Sequence, residues 1–128
     1  MTKEEKKDIH VMHEKNGLGE VQISDEVVAT IAGLAATEVE GVASMAGNLT
    51  NELIGKLGIK NLSKGVNVLV TDHSVDVDLA LHIKYDYSIL KVSKDVQARV
   101  KNAIESMTGL EVVMVNINIV NVDMEKER

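Results

Sequence analysis

V-D-V-D-L-A-L-H-I-K-Y-D, residues 75–86, alternates large apolar side chains with polar or small ones throughout. Val75, Val77, Leu79, Leu81, Ile83 and Tyr85 fall on one side, with Asp76, Asp78, Ala80, His82, Lys84 and Asp86 on the other. Successive strand residues point to opposite faces, so the pattern predicts a strand with one buried and one wet face. A slip of one residue would turn the whole apolar set to water, which pins the register. One-sided burial of this kind belongs to an antiparallel sheet covered by helices on a single side.

Before this strand, Asp72, His73 and Ser74 make a tight turn, and Gly65 opens a strand in which Val66, Val68 and Val70 face one way. After it, Ser88 stands where a helix cap belongs, and a long helix runs to Thr108 with Gly109 as its stop. Ile89, Val92, Val96, Val100, Ala103, Ile104 and Met107 form its apolar stripe, with Lys91, Lys94 and Lys101 opposite. Arg99 adds to that basic side while Asp95 and Glu105 dilute it, so it reads as a solvated face or a surface for an acidic partner. The last strand turns Val113, Val115, Ile117 and Ile119 inward and Asn116 and Asn118 outward. Its phase then shifts to Val120 and Val122, which predicts a bulge or a strand end.

Nearer the start, Val21 and Ile23 alternate with Glu20 and Gln22, as in a half-buried strand. Ser24 then caps a helix, and Asp25 and Glu26 place negative charge in its first turn, where the helix dipole favours it. Val27, Val28, Ile31, Leu34 and Ala35 define its predicted buried stripe. Ala29, Ala32, Gly33, Ala35 and Ala36 keep it thin enough to lie close against a sheet. Gly33 costs about 1 kcal/mol against alanine within a helix, which a close backbone contact would offset. Gly41 fits a helix exit, residues 42–45 a short strand, and residues 49–57 a short helix ended by Gly58. The predicted order is β-α-(β)-α-β-β-α-β. It specifies a two-layer α+β domain over residues 17–123, with a mainly antiparallel sheet and helices on one face. Residues 1–16 and 124–128 read as charged tails.

The 128 residues suffice for one core, and with no Phe or Trp that core is built of Val, Ile, Leu, Ala and Met. Tyr85 and Tyr87 are the only aromatic residues. The lack of cysteine excludes disulfides, thiolate nucleophiles and zinc–thiolate sites, and fits a reducing cytoplasm. A net charge of −6 argues against general nucleic-acid binding and against adhesion to anionic lipid. No apolar run approaches the ~20 residues of a membrane span, and the N-terminal residues do not read as a secretory signal. A link to a membrane would therefore pass through another protein.

Asp76, Asp78 and His82 form the best metal-like cluster, on the wet face at i, i+2 and i+6. Same-face neighbours on a strand lie ~6.8 Å apart, so the two aspartates could share a hard cation while His82 stands too far along. Asn116 and Asn118 could add oxygens if their strand is adjacent. The plainer reading is a solvated sheet face, and no metal or other cofactor is assigned. His10 and His13 would meet only on a helix, for which the charged tail gives no signal, and His73 reads as a surface turn residue. No serine sits in a G-x-S-x-G elbow, and Glu38 and Glu40 flank a helix end without a pocket, so no catalytic residues are assigned and the chain reads as a non-enzyme.

Gly55, Lys56, Leu57 and Gly58 make a G-x-x-G that looks like the RNA-gripping loop of KH domains. Only residues 59–62 separate it from the next strand, where KH recognition needs a full helix. Its plainer reading is a helix end with a flexible glycine exit. The RNA-binding alternative predicts salt-sensitive binding of single-stranded RNA that is lost when Lys56 and Leu57 become Asp. A filter-binding assay at low salt that retains no RNA would remove it.

The ordered set G-E-V-Q-I-S at 19–24, V-V-A-T-I-A-G-L-A-A at 27–36, E-V-E-G-V-A-S-M at 38–45, S-K-G-V-N-V at 63–68, the strand at 75–85 and L-E-V-V-M-V-N-I at 110–117 resembles the alkaline shock protein family. These are the Gls-type general-stress proteins of Gram-positive bacteria. The resemblance implies a small, non-enzymatic cytoplasmic protein of cell-envelope stress and homeostasis, held at the membrane in some members through a partner. Short members such as this one resemble a subgroup linked to fatty-acid synthesis and the control of acetyl-CoA carboxylase. The expected partners are therefore proteins: a lipid-synthesis enzyme or a membrane-anchoring protein. The family supplies no site residues. From the residues themselves, Asn116 and Asn118 on their β-branched strand are the candidate contact surface, either for a partner or for self-association into a homo-oligomer.

Overall fold

The computed structural model describes residues 9–11, 18–45 and 64–124. Strands β1 (Ile9–Val11) and β2 (Gln22–Ser24) lead into helix α1 (Asp25–Thr37). Strands β3 (Val42–Met45), β4 (Val66–Thr71) and β5 (Ser74–Lys84) follow, then helix α2 (Ile89–Thr108) and strand β6 (Glu111–Asp123). The fold is the expected α+β class. Within the stretch read as an N-terminal tail, β1 pairs antiparallel with β2, His10 standing opposite Ile23.

β5 is the axis of the main sheet. Along one edge it pairs antiparallel with β4, from Thr71↔Ser74 to Val66↔Leu79, and then with β3 opposite Leu81, His82 and Ile83. The two-residue turn between β4 and β5 places Asp72 at φ 54°, a left-handed conformation that aspartate adopts more readily than most residues. Along its other edge β5 pairs parallel with β6, from Ser74↔Glu111 to Lys84↔Asp123. A parallel neighbour requires a long crossover, and α2 supplies it. Alternation specifies which face a residue takes but not which strand lies beside it, so this parallel pair was not readable from the pattern.

The core lies between the sheet and the two helices. Val75, Val77, Leu79, Leu81 and Ile83 of β5 are all buried, as the alternation predicts. Tyr85 is not: it stands beyond the last ladder pair, half exposed, with its N–H donating to the Asp123 carbonyl at 3.0 Å. Both predicted helix caps are present. Ser24 Oγ accepts from the Val27 N–H at 3.3 Å, Ser88 Oγ accepts from the Lys91 N–H at 3.2 Å, and Gly109 closes α2 in the left-handed conformation.

The predicted stripes need correction in three places. On α1 the buried residues are Val28, Ala29, Ala32, Gly33, Ala35 and Ala36, whereas Val27 and Leu34 are 45% and 46% exposed. The narrow side of the helix faces inward because small residues let its backbone approach the sheet and α2. On α2 the buried line is Val92, Val96, Val100, Ile104 and Thr108, each four residues from the last, while Ile89 and Met107 lie largely in solvent. Thr108 satisfies its hydroxyl locally, donating to the Ile104 carbonyl and accepting from the Leu110 N–H. On β6, Val112 is buried and Val113 is exposed, the reverse of the expected start. A register shift accounts for it: Val75 pairs Val112 and Asp76 pairs Met114, leaving Val113 as an extra residue. A second shift between Leu81 and His82 leaves Val120 extra, at the predicted bulge.

Gly41 joins α1 to β3 at φ +102°, and its carbonyl accepts from the Lys84 N–H at 2.8 Å. A Cβ there would meet Val92 Cγ2 at 2.6 Å and Tyr87 Cδ2 at 2.9 Å. Gly41→Ala combines backbone strain with overpacking and should lower unfolding stability by about 3 kcal/mol. Urea denaturation checks this, and an unchanged midpoint would mean the junction has slack.

Candidate interaction surface

Both helices pack on one face of the sheet. The register builds the other face in rows: Leu69, Asp76 and Met114; then Asn67, Asp78 and Asn116; then Ala80 beside Asn118; then Ser44, His82 and Asn121. Asn116 and Asn118 thus stand on this open face, adjacent to β5. Asn116 Nδ2 donates to Asp78 Oδ1 at 2.8 Å, joining the two strands by a side-chain bond as well as the ladder. Asp76 and Asp78 share the face, and His82 lies further along it at the end toward β3. Among the described residues no group of three or more His, Cys, Asp or Glu side chains is placed to hold a metal ion.

The outer edge of β6 has its own construction. Gln97, Lys101 and Glu105 recur every four residues on α2 and so form one line beside the strand. The Val112 N–H donates to Glu105 Oε2 at 2.9 Å, Lys101 Nζ donates to Glu105 Oε2 at 2.8 Å and to the Val112 carbonyl at 3.3 Å, and Gln97 Nε2 donates to the Val115 carbonyl at 3.0 Å. These bonds hold the Glu105 carboxyl below its ordinary range, chiefly through Lys101 and then through the Val112 N–H. Side chains that the sequence presents as a solvated basic face therefore satisfy the first third of a strand edge. The four-residue spacing was the available signal, but nothing in it identifies a strand edge as the partner. A shallow hollow of about 310 Å³ lies here between α2 and β6, with Lys94 and Ala98 on one wall and Val113 and Met114 on the other.

Beyond Val115 the braces from α2 stop, and among the described residues β5 is the only strand paired with β6. Residues 112–122 contain no charged side chain. Val113 and Met114 near the start of the strand, Val120 near its end and Met124 just past it are each about half exposed.

A second hollow, of about 290 Å³, lies where the end of α1 meets α2. Its charged groups are engaged: Arg99 pairs with Glu38 at 3.2 Å, and Glu40 accepts from the Tyr87 hydroxyl at 3.2 Å, which raises the tyrosine pKa above its usual value. His10 sits on strand β1, and His13 lies outside the described residues together with Gly55, Lys56, Leu57 and Gly58. His73 is exposed in its turn.

A family model described as ASP23 family, cell envelope-related function, matches residues 13–124. The chain belongs to the alkaline shock protein family. An uncharacterized protein of Bacillus subtilis, YqhY, is 37% identical over 113 residues, covering 88% of this chain and 84% of its own. The uncharacterized Spy1614 of Streptococcus pyogenes is 38% identical over 115 residues, covering 88% and 93%. A stress response regulator gls24 homolog of Streptococcus pyogenes is 28% identical over 110 residues, covering 85% of this chain and 62% of its own length. Among solved structures, a form of the MamM CTD reaches a TM-score of 0.48 at 10% identity over 77% of this chain and 95% of its own. For this alkaline shock protein, relation to the cell envelope and to stress response thus stands at the level of the family.

The brace on β6 makes a pH prediction. Because the folded Glu105 carboxyl is held down, its contribution to stability is present above the ordinary carboxylate value of 4.5 and is lost as pH falls through the lowered value. In an NMR titration the Val112 amide should move together with the Glu105 carboxyl, at a pH below 4.5. Lys101→Ala should bring that midpoint upward. A Val112 amide that ignores the Glu105 titration would show the brace to be absent in solution.

Proposed function

We propose that this alkaline shock protein is a non-enzymatic interaction protein of the cytoplasm that takes part in cell-envelope stress or homeostasis through protein contacts. The observation that carries the reading is the face of the sheet that, among the described residues, no element covers. Its centre is three amides and one carboxylate, Asn67, Asn116, Asn118 and Asp78, mounted on the adjacent strands β4, β5 and β6 rather than on loops. Such a surface offers many weak hydrogen-bond donors and acceptors, which suits a protein partner more than a small substrate. The two hollows are shallow, and the charged side chains around the second are committed to one another. Among the described residues no helix is long and apolar enough to cross a membrane, so a place at the envelope would come through a partner.

The finer reading concerns which partner. The resemblance of residues 17–123 to short members of the family supports a lipid-synthesis enzyme, with acetyl-CoA carboxylase as the first candidate and regulation by contact as the mode. A membrane-anchoring protein is the other candidate that the resemblance supports. Both would bind the face that carries Asn116 and Asn118.

The test is direct capture of carboxylase subunits, and separately of a membrane anchor, by the purified chain. Asn116→Lys with Asn118→Lys puts two long cations on the face, and both positions are exposed. Capture should fall about tenfold or more, equivalent to ~1.4 kcal/mol or more, while circular dichroism stays that of the parent. Undiminished capture by the folded variant would remove this face, and no binding to either candidate by the parent chain would remove both partners.

A further inference from the structure

We propose that β6 pairs edge to edge with β6 of a second copy of this chain, antiparallel, about a two-fold axis at Ile117. This deepens the interaction reading above, sharing its residues Asn116 and Asn118 but naming a distinct contact.

The backbone directions come first. The Val112 and Val115 backbone groups turn away from β5, since their bonds go to side chains of α2. Between the two register shifts, residues 114–119 follow β5 one for one. Peptide groups alternate in direction along a regular strand, so those of Ile117 and Ile119 also turn outward. An antiparallel neighbour centred on Ile117 would use the outward groups of Val115, Ile117 and Ile119. Gln97, whose side chain is exposed, would yield the Val115 carbonyl to a backbone N–H.

The side chains then match themselves. With the axis at Ile117, Val115 stands opposite the partner's Ile119, and Ile117 opposite the partner's Ile117, on the side that packs toward the helices. On the open face Asn116 stands opposite the partner's Asn118, and Met114 opposite the partner's Val120. Asn116 spends one amide hydrogen on Asp78, leaving its oxygen free to accept from the partner's Asn118. Met114 and Val120, 51% and 49% exposed, cover each other at the two ends. The exposed pattern Met-Asn-Asn-Val thus meets its own reverse, which is what an isologous two-fold contact demands.

Charge selects the same occupant. The chain carries a net charge of −6, so two copies repel unless they meet where charge is absent. The strand past the Lys101–Glu105 brace, residues 115–122, carries no charged side chain and is such a place. The strand also lacks the lysine, proline or inward charge by which open edges are commonly kept single. Its two bulges twist the ends away and confine the backbone pairing to residues 115–119, with Met114 and Val120 as its rim, which makes the interface small and its dissociation constant about micromolar.

The test uses the full chain, which contains no cysteine of its own. Sedimentation from about 1 µM to about 1 mM, a span around that estimate, should show a concentration-dependent shift from 13.9 kDa to twice that mass. Hydrogen-bonded antiparallel partners have Cα atoms ~5.5 Å apart, within disulfide reach, so Ile117→Cys should oxidise to a covalent dimer. Leu34→Cys, on the flank of α1, should remain monomeric. A chain that stays at 13.9 kDa throughout overturns the proposal. So does a dimer that links through Leu34→Cys rather than Ile117→Cys. A monomer that still captures its partner protein sinks the pairing alone, whereas a linked dimer that captures nothing sinks only the partner reading.

Discussion

Everything in this fold hangs on one amphipathic strand. β5 is the neighbour of every other strand of the main sheet, and its five inward residues are the floor on which both helices rest. Each of those residues is buried to within 1% of its surface, and each contributes roughly 1.5–3 kcal/mol relative to exposure. Because the strand is amphipathic with period two, its register with three neighbours is set by one requirement: the apolar face must not turn to water. The wet face follows from the same constraint, since the residues between the buried ones must carry the polar surface.

The edges of that sheet are treated unequally. On one side β4 and β3 lie end to end along β5. On the other side a single long strand covers its whole length, and its own far edge is partly satisfied by a helix. Gln97, Lys101 and Glu105 reach across from α2 because a parallel β5–α2–β6 unit brings the helix back alongside the strand it feeds. Glu105 accepts both from its lysine neighbour and from the Val112 N–H, so a surface ion pair acquires a structural task. Exposed ion pairs are ordinarily worth little, and the Lys91–Asp95 pair at 3.0 Å on the same helix is of that ordinary kind. The difference lies in the buried-edge amide that Glu105 also serves.

Much of this was legible in the residues. The alternation at 75–83, the serine caps, the glycine stop at 109 and the phase shift near Val120 are local signals, and each is present in the fold. What failed to read were facts about neighbours. Val27 and Leu34 look like the core side of α1 because hydrophobicity counts what a side chain would gain by burial. The helix instead buries its alanines and Gly33, because close approach of backbones is favoured by what is missing. Val112 and Val113 are chemically equivalent on paper, and only the register against β5 decides which of them faces inward. Asn116 was readable as outward, but its bond to Asp78 required knowing that β6 runs beside β5 and parallel to it.

The core's composition bears on the surface. Without Phe or Trp, the space between sheet and helices is filled by short branched residues and alanines, a filling that brings the layers close together. A domain packed this way has little volume to spare for an enclosed ligand site, which is why the proposed contacts fall on its surface. Among the described residues the helices lie on one side alone and leave two such features, the amide-rich face and the uncharged stretch of β6, and they meet at Asn116 and Asn118. These residues hold positions on a strand clamped by eleven ladder pairs to the most buried element of the fold. Their geometry is therefore set before any partner arrives, and preorganisation of this kind lowers the entropic cost of binding. A face and an edge that share residues also exclude one another in part, so occupancy of the edge would alter what the face can hold.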